Sequence, residues 1–104
     1  MMQLFQQLEQ TLKEHKNAVL VTVAASSGST PRGAGAHMLV TGQGRIAGTI
    51  GGGAVENRAI QDAMELFRSG GAERQKLYDM SPGAGDLGMV CGGKILVELK
   101  VIRE

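Results

Sequence analysis

Thr49-Ile50-Gly51-Gly52-Gly53-Ala54-Val55-Glu56 is the stretch on which the fold turns. Ahead of it, Arg45 to Ile50 reads as a strand. Behind it, Ile60, Ala63, Met64 and Phe67 recur at helical spacing. The side-chain period therefore changes from about 2 to about 3.6 across three residues that carry no side chain. The spacing predicts a helix from Ala54 to about Ser69, with Ile60, Ala63, Met64 and Phe67 as its buried stripe. Glu56 lies in the first turn, where a negative charge complements the helix dipole. Gly70-Gly71 supplies the glycine that commonly ends a helix.

Upstream, Leu4, Phe5, Leu8 and Leu12 form an apolar stripe, so residues 2–15 read as an amphipathic helix. Ala18 to Ala25 is rich in β-branched residues and apolar on both faces, which places this strand centrally, with Val19, Val21 and Val23 on one face. His37 to Thr41 and the strand that follows flank Gly42-Gln43-Gly44 and read as a hairpin. Downstream, Glu73 to Met80 is polar and reads as an exposed edge strand. Lys94 to Ile102 is the last strand, with Ile95, Val97, Leu99 and Val101 on one face. The order α-β-β-β-α-β-β predicts one α/β domain over residues 1–104, a two-layer sandwich with helices packed on a mixed β-sheet.

Composition narrows the function. The net charge is +1, from eleven basic and ten acidic residues, which gives no general attraction to nucleic acid or to an anionic membrane. Two Phe, one Tyr and no Trp leave no stacking platform for single-stranded nucleic acid. Apolar runs fall far short of the about 20 residues of a membrane-spanning helix. The first residues lack the pattern of a secretory signal. A single cysteine excludes an internal disulfide and fits a reducing, cytoplasmic location. A chain of 104 residues buries a modest share of its surface, so self-association as a homo-oligomer is expected.

Of sixteen glycines, twelve fall in three clusters, Gly28 to Gly35, Gly48 to Gly53 and Gly83 to Gly93. Gly51, Gly52 and Gly53 stand between a strand and a helix N-terminus, where free amides and the dipole favour an anion. A tight strand-to-helix turn is the plainer alternative. Ser29-Thr30-Pro31-Arg32-Gly33 combines two hydroxyls with a guanidinium fork suited to phosphate, or is a solvated loop. Cys91 lies between Gly88 and Gly92-Gly93, either as a small buried residue or as an accessible thiolate suited to sulfur or soft-metal chemistry. Gly83-Ala84-Gly85-Asp86-Leu87-Gly88 matches the dinucleotide fingerprint in letters alone, because it neither follows a strand nor opens a helix. His15, His37 and one Cys offer no zinc-ligand spacing, and no Ser lies in a nucleophile elbow.

Taken together, Val21 to Gly35, Gly48 to Glu56 and Gly88 to Gly93 resemble the XdhC/CoxI family, in the right order over nearly the whole chain. Members are accessory factors of molybdenum hydroxylases such as xanthine dehydrogenase and aerobic carbon monoxide dehydrogenase. The resemblance implies a chaperone that binds the molybdenum cofactor, in its molybdopterin or cytosine dinucleotide form. It further implies support for sulfuration of that cofactor and its delivery to a hydroxylase apoenzyme, with a cysteine desulfurase as second partner. It points to Ser29, Thr30, Arg32 and Gly33, with the amides of Gly51, Gly52 and Gly53, as anchors for phosphate and pterin. Glu56 would bond pterin N–H groups or cap its helix. Cys91, with Gly92 and Gly93, matches the family's Cys-Gly-Gly and would contact sulfur or molybdenum. Typical members continue into a Rossmann-like domain, so these 104 residues are expected to correspond to the first domain alone. Many relatives carry Cys after the triple glycine, where this chain has Ala54, so a two-cysteine mechanism within one subunit is not expected. Two other function classes fit the residues: a sulfurtransferase-like enzyme with Cys91 as nucleophile, and a cofactor-free interaction module.

Overall fold

The computed structural model describes residues 2–27, 34–79 and 93–103. Among them the chain forms helix α1 (Met2–His15), strands β1 (Asn17–Ser27), β2 (His37–Thr41) and β3 (Gly44–Gly48), helix α2 (Gly53–Arg68), and strands β4 (Glu73–Asp79) and β5 (Lys94–Arg103). The strands make one sheet in the order β3-β2-β1-β5-β4. The polar β4 sits at an edge and the doubly apolar β1 at the centre, as their side chains require.

The molecule is an α/β sandwich, but the expected mixed sheet is replaced by an antiparallel one. All four neighbouring pairs run antiparallel. The reason lies in the crossover through α2. Strands β3 and β4 point the same way, but they occupy opposite edges with β2, β1 and β5 between them. The β-α-β unit therefore never becomes a neighbouring parallel pair.

Helix α2 lies on the face formed by Val19, Val21 and Val23 of β1, Met38 and Val40 of β2, and Ile95, Val97 and Leu99 of β5. Each of these side chains contributes about 1.5–3 kcal/mol on leaving water. The buried stripe of α2 is Val55, Ala59, Ala63 and Leu66, and Ile60, Met64 and Phe67 are only partly buried. The stripe is thus rotated by about one position from the one that the largest apolar residues suggested. Small side chains at Ala59 and Ala63 let the helix approach the bulky sheet, and the larger ones pack at its flanks. On the other face, Leu39 is buried between Leu20 and Ala47, its partners across β1 and β3. Helix α1 packs against β1 and β3. In α1, Leu8 and Leu12 are half-buried and Thr11 is buried, its hydroxyl donating to the Gln7 carbonyl at 2.6 Å. The Leu4 and Phe5 side chains of the expected stripe lie outside the described set.

Local chemistry sets the element ends. Lys16 adopts φ 71° and donates to the Leu12 carbonyl at 2.9 Å, a left-handed cap on α1. After α2, Gly70 at φ 79° donates to Phe67, and Gly71 donates to Leu66, the paired bonds of a Schellman motif. In the β2–β3 hairpin, the Thr41 hydroxyl accepts the Gln43 amide at 3.2 Å. Strand β3 stops at Gly48, two residues before the expected end, because Gly48 takes φ 75° and turns the chain inward. Ile50 then enters the core, 1% exposed.

Candidate functional site

The antiparallel order decides where the glycine clusters emerge. Ser27 at the end of β1 pairs with Lys94 at the start of β5, and Asp79 at the end of β4 pairs with the same Lys94. Met38, near the start of β2, pairs with Gly48 at the end of β3, and the Val23 amide donates to Ala36 just before β2. The ends of β1, β3 and β4 and the starts of β2 and β5 therefore share one end of the sheet. The flanks of all three glycine clusters leave or enter the sheet there: 28–36 from β1 to β2, 49–52 from β3 to α2, and 80–93 from β4 to β5. The opposite end carries the α1–β1 junction, the 42–43 hairpin turn and the α2–β4 junction.

Of the residues singled out from the sequence, Gly51, Gly52, Gly53, Glu56 and Gly93 are described. Ser29, Thr30, Arg32, Gly33, Cys91 and Gly92 lie outside the described residues, as does the decoy string 83–88. The flanks of both undescribed stretches, Ser27 and Ala34, Asp79 and Gly93, lie at the shared end.

The turn into α2 is built around one carboxylate. Glu56 Oε1 accepts the Ile50 amide at 3.1 Å, the Gly52 amide at 3.1 Å, and the hydroxyl of Thr49. The Thr49 hydroxyl oxygen in turn accepts the Gly51 amide at 3.0 Å. The Thr49 amide donates to the His37 carbonyl at 3.0 Å, tying the turn to the start of β2. Only glycine tolerates this path: φ is 132° at Gly51, 79° at Gly52 and 68° at Gly53. The expectation that Gly51 and Gly52 present bare amides is corrected, because side chains of the turn itself engage both. Glu56 takes the capping role, reaching back from within the helix. Gly52 is the N-cap of α2 and has no side chain with which to bond the first-turn amides. Gly53 and Ala54 are exposed, and a Cβ on Gly52 would meet nothing within 4 Å.

Sequence reasoning missed Thr49. The signal was a hydroxyl residue and a glutamate bracketing a glycine run, a variant of reciprocal helix capping. It also missed the hydroxyl of Tyr78 on β4, which donates to Asp62 on α2 and ties the edge strand to the helix. Burial first, then the hydrogen bond to Asp62 and its charge, holds this hydroxyl well above the ordinary tyrosine range, against a small opposing effect of Arg58. His37 is half-buried beside Thr22. Among the described residues, no group of three His, Cys, Asp or Glu could hold a metal ion. None of the described helices is long and apolar enough to cross a membrane.

Comparison with known proteins agrees with this frame. The chain is 36% identical over 95 residues to the molybdenum cofactor insertion chaperone PaoD of Escherichia coli (strain K12), covering 91% of this chain and 30% of that protein. It is 35% identical over 85 residues to the uncharacterized protein YqeB of the same organism, covering 79% of this chain and 15% of that one. Among solved structures, it is similar to a crystal structure of a xanthine dehydrogenase from Bacillus halodurans, with a TM-score of 0.74 and 26% identity over 92% of this chain and 29% of that one. The chain thus spans less than a third of the length of each. Residues 11–79 match the XdhC and CoxI family, and the chain belongs to that family.

Proposed function

We propose that this chain is the cofactor-holding part of an accessory protein that receives the molybdenum cofactor and passes it to a molybdenum hydroxylase apoenzyme. The observation that carries the reading is that the described flanks of three glycine-rich stretches, far apart in sequence, share one end of one sheet. A phosphorylated pterin is wide, flat and polar at its rim, and a glycine-rich sheet end suits close approach to its ring. The similarity to a molybdenum cofactor insertion chaperone supports the choice of cargo.

In this reading Arg32, with Ser29, Thr30 and Gly33, takes the phosphate as a guanidinium fork with hydroxyl donors. Gly51, Gly52 and Gly53, shaped by Glu56, face the pterin ring. Cys91, next to Gly92 and Gly93, contacts molybdenum or the sulfur placed on it. The cargo is the molybdopterin form or its cytosine dinucleotide. A cysteine desulfurase supplies sulfur, and the protein works in the cytoplasm as a homo-oligomer.

The test is purification from cells that make the cofactor, followed by assay of the oxidised pterin that the protein releases. Pterin is expected to copurify, Arg32→Ala to lose most of it, and Cys91→Ser to keep it but lose support for sulfuration. A protein that emerges without pterin and fails to take up added cofactor refutes the proposal.

A further inference from the structure

Strand β4 ends the sheet, and among the described residues no strand pairs with its outer side. The Val101 amide donates to the Ala72 carbonyl at 2.8 Å, next to the opposed pair Glu73 and Lys100. Antiparallel alternation then directs the backbone groups of Arg74, Lys76 and Tyr78 inward to β5, and those of Glu73, Gln75, Leu77 and Asp79 outward. On this open strand Leu77 is, among the described residues, the one large apolar side chain that is exposed, at 63%. Leu77 opposes Leu96, and Leu96 opposes Ala25, so an apolar row crosses β1, β5 and β4 and stops at the edge. Helix α1, which packs against β1 and β3, leaves Ala25 and Leu77 exposed.

The charges of β4 select how it can pair. Edge strands commonly carry charges that oppose pairing, and here the same charges set a register. Around a two-fold axis normal to the sheet, the strand meets a second copy of itself antiparallel, with like faces opposed. An axis at Arg74 or Gln75 sets Arg74 against Arg74 or Lys76. One at Lys76 sets Lys76 against Lys76 and Glu73 against Asp79, again like charges directly opposed. One at Tyr78 sets Leu77 against the Asp79 carboxylate. An axis at Leu77 avoids all of these: Leu77 meets Leu77, Gln75 meets Asp79, and Lys76 meets Tyr78, whose hydroxyl donates to Asp62, so the lysine charge comes beside a carboxylate. We infer that the open edge of β4 is an interface between two copies of this chain, with the two-fold axis at Leu77 and the two five-stranded sheets joined into one. The apolar row then continues through Leu77 of the second copy to its own Leu96 and Ala25. This gives the homo-oligomer of the functional reading its surface, and it rests on that reading for self-association alone. Because the paired strands run in opposite directions, the glycine-flanked ends of the two sheets point opposite ways.

Analytical ultracentrifugation of this chain, at up to about 1 mM where even a weak dimer forms, is expected to show the mass of two copies. Leu77→Lys sets two charges against each other at the axis and is expected to weaken dimerisation about tenfold or more. Circular dichroism is expected to show its fold intact, because the side chain is exposed. Amide hydrogen exchange reads the strand itself. Gln75 is expected to exchange about tenfold or more slowly in the wild-type dimer than in Leu77→Lys, while Lys76, bonded to β5 in both, does not change. Cross-linking reads the register. In a Cys91→Ser background, Leu77→Cys is expected to form a disulfide with its counterpart, at a Cα separation of about 5.5 Å. Gln75→Cys is expected not to, because its counterpart lies about 13 Å away along the strand. A chain that stays monomeric at every concentration, a dimer that Leu77→Lys leaves as strong, or a disulfide through Gln75→Cys in place of Leu77→Cys overturns the inference. None of these readouts involves pterin, so the reading of the cargo stands or falls by its own assay.

Discussion

Replacing Gly48 by alanine tests how the site is attached to the sheet. At φ 75°, an added Cβ lies 2.4 Å from the His37 carbonyl oxygen and 2.9 Å from the Met38 Cα. Both obstacles are backbone of the paired strand and cannot rotate aside. The left-handed conformation costs an L-residue about 1–2 kcal/mol. Forcing β2 and β3 apart adds about 1–3 kcal/mol, as overpacking does elsewhere. The sum is about 2–5 kcal/mol, against about 5–15 kcal/mol for the whole stability of a domain of this size. Gly70→Ala is the matched control: its φ is 79°, and a Cβ there meets nothing within 4 Å. It should carry the conformational cost alone. The difference between the variants, about 1–3 kcal/mol, corresponds to about 4–24 °C in melting temperature. Urea and thermal unfolding followed by far-ultraviolet circular dichroism measure it. The His37 carbonyl also accepts the Thr49 amide, so hydrogen exchange at Thr49 should accelerate in Gly48→Ala and not in Gly70→Ala. Equal destabilisation by the two substitutions would refute the close approach, and with it the anchoring of the glycine turn to β2.

Three further outcomes follow from the same geometry. Tyr78 is the single tyrosine of a chain without tryptophan, so phenolate absorbance reports this residue alone. Its hydroxyl stays protonated in the folded state, whereas an unfolded tyrosine ionises from about pH 10, so the stabilising effect is complete below that pH. Above it the unfolded chain binds fewer protons, and stability should fall by about 1.4 kcal/mol per pH unit, a slope that Tyr78→Phe should remove. A phenolate signal that rises near pH 10 in the still-folded protein would contradict this. Lys16→Gly should raise stability by about 0.5–1 kcal/mol by relieving the left-handed cap, and an unchanged or lower denaturation midpoint would show the cap to be unstrained. Ala59→Leu, at a fully buried position between α2 and the sheet, should cost about 1–3 kcal/mol, and a neutral result would mean that the helix stands further off than described.

At the site, the triple glycine was legible because a strand pattern stopped there and a helix pattern began. What the pattern could not convey was the fate of the amides. Glu56 is seven residues from Thr49, and only the backbone bend through Gly51, Gly52 and Gly53 brings its carboxylate back onto Thr49, Ile50 and Gly52. A residue placed by dipole reasoning near the helix start thus proved to be the centre of the turn. In α2, apolar volume pointed to Ile60, Met64 and Phe67 as well as Ala63, whereas closeness to the sheet selects for small size, which put Ala59 beside Ala63 on the buried face.

The linear pattern alone determined the number, type and order of the elements, because period, caps and glycine turns act within a few neighbours. It also placed β1 at the centre and β4 at the edge, since burial on two faces or one is written in each strand's own side chains. Tertiary structure alone decided that every pairing is antiparallel and that three strands lie between β3 and β4. Those outcomes depend on which strand takes each open edge, a choice made by long-range strand pairing such as that of Ser27 with Lys94. That the flanks of the three glycine clusters share one end of the sheet is a consequence of that choice.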